Sequence, residues 1–262
     1  MKKAIAILMA AVMVLSLAAC GSSVKAGSDQ EYIKGKGKLI VGITDFEPMD
    51  YKNDAGEWIG FDADMAKEFA KYLGVTVEFI EIDWDNKILE LNNKSIDVVW
   101  NGMTLTEEVT NSMSCGDPYC NNAQVVIVNK AAAAQYKDKD SIKPLAFAVE
   151  AGSAGEAAVK ELGIEPTAVQ TQADALMNVA AGTADAAVID LLMAAAMVGE
   201  GTSYPDLTYT VELTSEEYGC GFRKDGDMAK AYNDFYKKAY ADGTVQKIAE
   251  QYGVQASIIP AK

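Results

Sequence analysis

The side chains with chemistry to offer gather in one stretch, Ile96 to Gln124, which reads IDVVWNGMTLTEEVTNSMSCGDPYCNNAQ. The apolar run Ile96 to Trp100 reads as a buried strand, and Asn101-Gly102 is a loop signal that stops it. Thr104 and Thr106 follow with Glu107 and Glu108, the pattern of a helix start: a hydroxyl to cap, then carboxylates in the positive first turn. Asp117-Pro118-Tyr119 breaks the pattern, and Cys120 to Val128 runs extended. A strand that ends in a polar turn at a helix start presents hydroxyls and free amides to a ligand. The same residues offer little for bond-breaking. The chain has no histidine, and no nucleophile stands with a base to activate it.

Composition narrows the choices. The 262 residues are 50% hydrophobic and 23% charged, ordinary for a globular protein of one large domain or two small ones. A net charge of −15 leaves nothing basic to neutralise phosphates, which argues against a nucleic-acid partner. Lys2 and Lys3 precede the apolar run Ala4 to Ala19, which is short for a transmembrane helix and reads as an export signal. Its ending, Leu17-Ala18-Ala19-Cys20-Gly21, resembles a bacterial lipobox, which implies cleavage before Cys20, a lipid on its sulfur, and a membrane-held soluble body. Small polar residues after it read as a tether. Cys115, Cys120 and Cys220 remain, either one disulfide with a spare thiol or three small buried residues. Their spacing fits no zinc pattern, so no metal is expected.

The elements that position these groups alternate. Lys38 to Thr44 is a strand, Asp62 caps a helix with Met65, Phe69 and Leu73 on its apolar side, and Val75 to Ile82 is a strand. Asp85 to Asn93 is a short helix before the Ile96 strand. A second α/β unit runs from the strand Leu145 to Glu150 through the helices Glu156 to Leu162 and Ala173 to Ala181 and the strand Ala184 to Ile189. Tyr218 to Phe222 is a strand, and two helices, Met228 to Ala241 and Thr244 to Tyr252, close the chain. The alternation predicts parallel sheets covered on both faces, and two such units predict two lobes with a cleft between them.

The ordered set GITDFEPMDY, GFDADMAKEFAKYLG, IDWDNKILEL, IDVVWNGMTLTEE, GDPY, AVEAGSAGE, ADAAVID and DGTVQKIAEQYG resembles family 3 extracellular solute-binding proteins, over nearly all of Lys38 to Gly253. The resemblance implies the two-lobed periplasmic-binding-protein fold, type II, with two hinge strands. It divides the chain into signal peptide 1–19, lipidated cysteine and tether 20–37, lobe 1 at 38–120 plus 222–262, and hinge strands with lobe 2 at 121–221. It also implies capture of a polar amino acid by lobe closure, delivery to an ABC transporter permease, a monomer lipid-anchored on the outer face of the cytoplasmic membrane, and no cofactor. Matched position by position, Phe46 and Trp84 are walls for the ligand side chain. The Gly102 amide and Thr104 hydroxyl meet its α-carboxylate, with Ser153 and the helix start after it as a further contact. Asp190 meets its α-ammonium, while Asp45 and Glu150 stand where side-chain-selecting groups are found.

One position departs from the family. The pattern Thr-x-Thr-x-x-Arg supplies a guanidinium clamp for the carboxylate, and here that place is Val109. The chain's only arginine is Arg223, past the second crossing, and lysine is not an equivalent clamp. Two ligand classes follow. One is an amino acid whose carboxylate rests on Thr104, the amides near Gly102 and Ser153, and Asn101, Asn121 or Asn122. The other is a cationic amine or amino-acid derivative, suggested by Asp45, Glu150 and Asp190 standing without an arginine. Three other classes compete: a dehydratase-like enzyme on the same fold, a sensor ectodomain that would continue into a membrane helix, and an adhesin using the fold as a scaffold. The absence of a placed base counts against the first, and the short VQASIIPAK ending against the second.

Overall fold

The computed structural model describes residues 28–262. The predicted signal peptide and Cys20 lie outside the described residues. Ser28 accepts from the Glu31 amide at 3.1 Å and caps α1 (Asp29–Lys36), so the last part of the predicted tether is a helix. Two anchors explain this: Ile33 is buried, and Asp29 takes the Arg223 guanidinium at 3.0 Å.

The first lobe continues with β1 (Lys38–Ile43), the hairpin β2 (Tyr51–Lys52) and β3 (Trp58–Ile59), and α2 (Phe61–Leu73). It goes on through β4 (Thr76–Glu81), a 3₁₀ turn at Trp84–Asn86 leading into α3 (Lys87–Asn92), β5 (Val98–Val99), α4 (Glu107–Ser112) and β6 (Ser114–Cys115). Met65, Phe69 and Leu73 do form the buried stripe of α2, and Gly74 ends it at φ 77° with its amide on the Ala70 and Lys71 carbonyls. The expected cap does not hold. Gly60 occupies the N-cap, and the buried Asp62 carboxylate serves another purpose described below.

The chain crosses at β7 (Cys120–Asn122) and builds the second lobe from β8 (Gln124–Asn129), β9 (Phe147–Glu150), α5 (Ala154–Glu161) and β10 (Thr167–Val169). That lobe is completed by α6 (Gln172–Ala181), β11 (Ala186–Asp190), α7 (Leu191–Met197) and β12 (Leu207–Glu212). It returns through β13 (Glu216–Tyr218), enters the first sheet as β14 (Gly221–Phe222), and finishes with α8 (Met228–Ala241) and α9 (Thr244–Gln251).

Each lobe has a five-stranded sheet, ordered β4-β1-β5-β14-β6 and β10-β9-β11-β8-β12. The sheets are mixed rather than parallel. β1 pairs parallel with β4 and β5, and β9 parallel with β10 and β11. The strands next to the crossings, β14 and β8, run antiparallel because the chain enters each sheet from the other lobe. The crossings pair as a two-stranded ribbon, with Glu216 opposite Asn122 and Tyr218 opposite Cys120. Behind the first sheet, Phe69, Trp100, Tyr232 and Phe235 interlock, with Trp100–Tyr232 and Phe69–Phe235 centroids 5.1 Å apart. Cys115, Cys120 and Cys220 are all unpaired thiols. Among the described residues no helix is long and apolar enough to cross a membrane.

Candidate functional site

Asp190 ends β11 and sits where both crossings meet the second lobe. It caps nothing, although it precedes α7. Its Oδ1 accepts from Asn122, from Gln124 Nε2 at 2.8 Å and from the Tyr218 hydroxyl at 2.7 Å, while Oδ2 accepts from Gln172. Gln172 in turn takes the Asp190 amide at 2.8 Å. Glu216 of β13 shares the same donors. Its Oε1 accepts from Asn122 at 2.8 Å, Gln124 at 2.7 Å and Thr104 Oγ1 at 2.8 Å, and so ties the first-lobe turn to the hinge. Glu150 is buried beside them, with Oε1 lacking a hydrogen-bond partner. Burial raises the Glu150 carboxyl to about 8, with the charge of Asp190 adding to the effect. Burial and then Glu216 push Asp190 upward as well. Three acids around one set of amides form a cluster suited to a cation.

The turn after β5 is held from behind. Asn101 uses its full hydrogen-bonding capacity inside the first lobe. It accepts from the Thr44 amide at 2.6 Å and hydroxyl at 2.8 Å, and donates to the Thr44 carbonyl at 3.2 Å and Asp50 at 2.8 Å. The Gly102 amide donates to Asp62 at 2.6 Å, and Tyr119 adds a second bond to the same oxygen at 2.7 Å. Asn101 and the Gly102 amide are therefore engaged within the first lobe. Thr106 is the N-cap of α4, accepting from the Val109 amide at 3.2 Å. Of the other two asparagines, Asn122 faces carboxylates and Asn121 donates to the Ser257 carbonyl at 3.4 Å.

A cavity of about 310 Å³ lies between the lobes, lined by Thr104, Val109, Ser153 and, unforeseen from the sequence, Lys87. Ser153 caps α5, accepting from the Glu156 amide at 3.0 Å, which leaves the amides of Ala154 and Gly155 without partners inside the helix. The lobes are in contact here: Lys87 Nζ donates to the Gly152 carbonyl at 2.9 Å, and Gln170 to Asp83 at 3.1 Å. A Cβ on Gly152, whose φ is +70°, would lie 2.7 Å from the Asp85 backbone, so only glycine permits this approach. Phe46 packs edge-on to Tyr218 at 6.3 Å and Trp84 lies under Lys87; both are buried. Asp45 lies apart, on a smaller cavity of about 160 Å³ that faces Met193 and Met197 of the second lobe. Arg223 is spent on Asp29, Asp97 and the Ile96 carbonyl, so it is structural.

Residues 39–255 match the bacterial extracellular solute-binding proteins, family 3. The chain belongs to this family. It is 32% identical over 261 residues to the arginine-binding extracellular protein ArtP of Bacillus subtilis (strain 168), covering 96% of this chain and 98% of that one. Among solved structures it resembles an ABC uptake transporter substrate binding protein from Streptococcus pneumoniae with bound histidine, with a TM-score of 0.82, 27% identity and coverage of 89% and 99%. It also resembles the ancestral amino acid-binding protein AncCDT-1, a precursor of cyclohexadienyl dehydratase, with a TM-score of 0.78, 32% identity and coverage of 86% and 99%.

As a solute-binding protein of two lobes, the molecule places Thr104 and Ser153 on one cavity and ties Thr104 through Glu216 to the amides that hold Asp190, with Glu150, Phe46 and Trp84 buried. The sequence reading missed Glu216, Gln124, Gln172 and Lys87. Glu216 carries no local signal, since it sits in a short strand behind a loop. Lys87 carries one: a lysine that opens a helix stands against the helix dipole, and something else must hold it there.

Proposed function

We propose that this protein captures a polar amino acid outside the cytoplasm for an ABC importer. The observation that carries the reading is Asp190, a buried acid at the junction of both crossings, held only by side-chain amides and a hydroxyl. An α-ammonium replaces those donors by rotation of side chains, with no backbone rearrangement. The open end of α5 lines the cavity for the carboxylate, and Thr104 joins it once its hydroxyl turns away from Glu216. Phe46 and Trp84 enclose the side chain, and Glu150 selects it. Contacts to both lobes give the closed state its extra free energy, since a ligand shifts an equilibrium only by its differential affinity. The arginine-binding relative and the histidine-bound neighbour support an amino-acid ligand. The ligand leaves unchanged, to an ABC transporter permease, and a lipid on Cys20 keeps the monomer on the outer face of the membrane.

Titration calorimetry with L-arginine and L-histidine, and mass spectrometry of ligand released from the purified protein, test this. Binding of at least one at about micromolar strength or tighter is expected. A protein that binds no amino acid, or that converts the one it binds, overturns the reading.

A further inference from the structure

Lys87 is placed at a cost on three counts. It is the first residue of α3, where the helix dipole opposes a cation, and it is only 6% exposed. Its ammonium donates to two neutral carbonyls, Trp84 at 3.2 Å and Gly152 at 2.9 Å, and lies 4.9 Å from the Trp84 ring centroid. Among the described residues no carboxylate is within ion-pair distance of it. Glu108, Glu150, Asp85 and Glu156 act only from further off, and burial lowers its pKa. An ammonium has three donors, and two are used. It lines the same cavity as Thr104, Ser153 and Val109.

We propose that Lys87 is the carboxylate anchor of this protein, a cation supplied from α3 in place of the guanidinium absent at Val109. The proposal rests on the amino-acid reading above. In it, the third donor of Lys87 meets the ligand carboxylate together with the amides of Ala154 and Gly155. Because Lys87 also bonds the Gly152 carbonyl of the second lobe, the anchor is assembled only when the lobes are together. A lysine offers a point charge rather than a two-pronged fork, so the grip is one-sided.

The test compares each amino acid with its decarboxylated counterpart by calorimetry: L-arginine with agmatine, and L-histidine with histamine. Lys87→Met is expected to lower affinity for the amino acid that the wild type binds by about 30-fold or more, and for its amine by less than about threefold. Lys87→Gln, which keeps a polar tip, is expected to show the same selective loss and covers the case in which Lys87→Met folds poorly. Ligand-free melting of both variants checks the fold. Unchanged amino-acid affinity overturns the proposal, and so does an equal loss for acid and amine, which would make Lys87 a bridge between lobes and no more. Failure of the wild type to bind any amino acid is seen before any variant is made, and it overturns the amino-acid reading together with the anchor.

Discussion

Two groups of acids, all buried but the half-buried Glu216, flank the turn at residues 101–104, and only the one behind it takes a backbone amide. Behind it, Asp62 takes a backbone amide, that of Gly102, and the Tyr119 hydroxyl, while Asp50 takes Asn101. All of these donors belong to the first lobe and none depends on the second. In front of it, Asp190 and Glu216 take side-chain amides from the crossings and from α6. A backbone donor cannot turn away without moving the chain, whereas a glutamine amide can. The first group therefore fixes the shape of the turn, and the second holds a site that a ligand can enter by exchange.

Removing one acid from each group separates the two roles. Asp62→Ala leaves the Gly102 amide and Tyr119 hydroxyl unpaired in a dry interior, and an unsatisfied buried donor costs about 1–3 kcal/mol. We expect a loss of roughly 2–5 kcal/mol in urea unfolding. Asp190→Asn keeps the size of the side chain and removes its charge. We expect a fall of about 30- to 100-fold in affinity for an α-ammonium ligand, or about 2–3 kcal/mol, with a smaller change in ligand-free stability than in Asp62→Ala. The contrast breaks if Asp190→Asn unfolds the protein and Asp62→Ala abolishes binding in a chain that remains stable.

The same contrast marks what was legible in the sequence. The stripe of α2, the helix start at Thr106 and the extended runs at Cys120 and Tyr218 follow from local chemistry and were readable, while their role as crossings came from the family resemblance. Asp62 was not, because its position before an apolar run satisfies the rule for a cap, and only the fold brings Gly102 and Tyr119 to it. Sheet direction was misread at the strands beside the crossings, since alternation of strand and helix says nothing of a strand arriving from another lobe. β12 escaped notice because it lies at a sheet edge and carries threonine, tyrosine and glutamate on its open side. Glu216 and Lys87 reach the site from residues 112 and 17 positions away from Thr104, a distance no spacing rule covers.

The two groups share one property, and it gives them a common pH signature that ligand should split. Asp50, Asp62, Glu150 and Asp190 are all pushed up, burial being the first cause in each, with Glu150 reaching about 8. A carboxyl whose folded pKa is raised binds more protons in the folded state than in the unfolded one. Its contribution to stability is therefore complete below its unfolded pKa and is lost as pH rises through the folded value. The carboxyls held low, Asp138, Glu156, Asp227 and Asp242, titrate on the acid side of this window and do not oppose it. Melting of the ligand-free protein should fall by roughly 3–8 °C between about pH 5 and pH 8. Glu150→Gln, which cannot ionise, should flatten part of that slope. An ammonium ligand needs Asp190 charged, so binding releases a proton below the Asp190 pKa and affinity rises with pH over the same range. Calorimetry in two buffers of different ionisation enthalpy measures that proton directly. Asp62, sealed behind the turn, should release none on binding, so an Asp190→Asn variant should lose the ligand-linked proton while keeping most of the ligand-free pH slope. If the proton persists in Asp190→Asn, the acid that senses the ligand is Glu150, and the exchange site is displaced from Asp190.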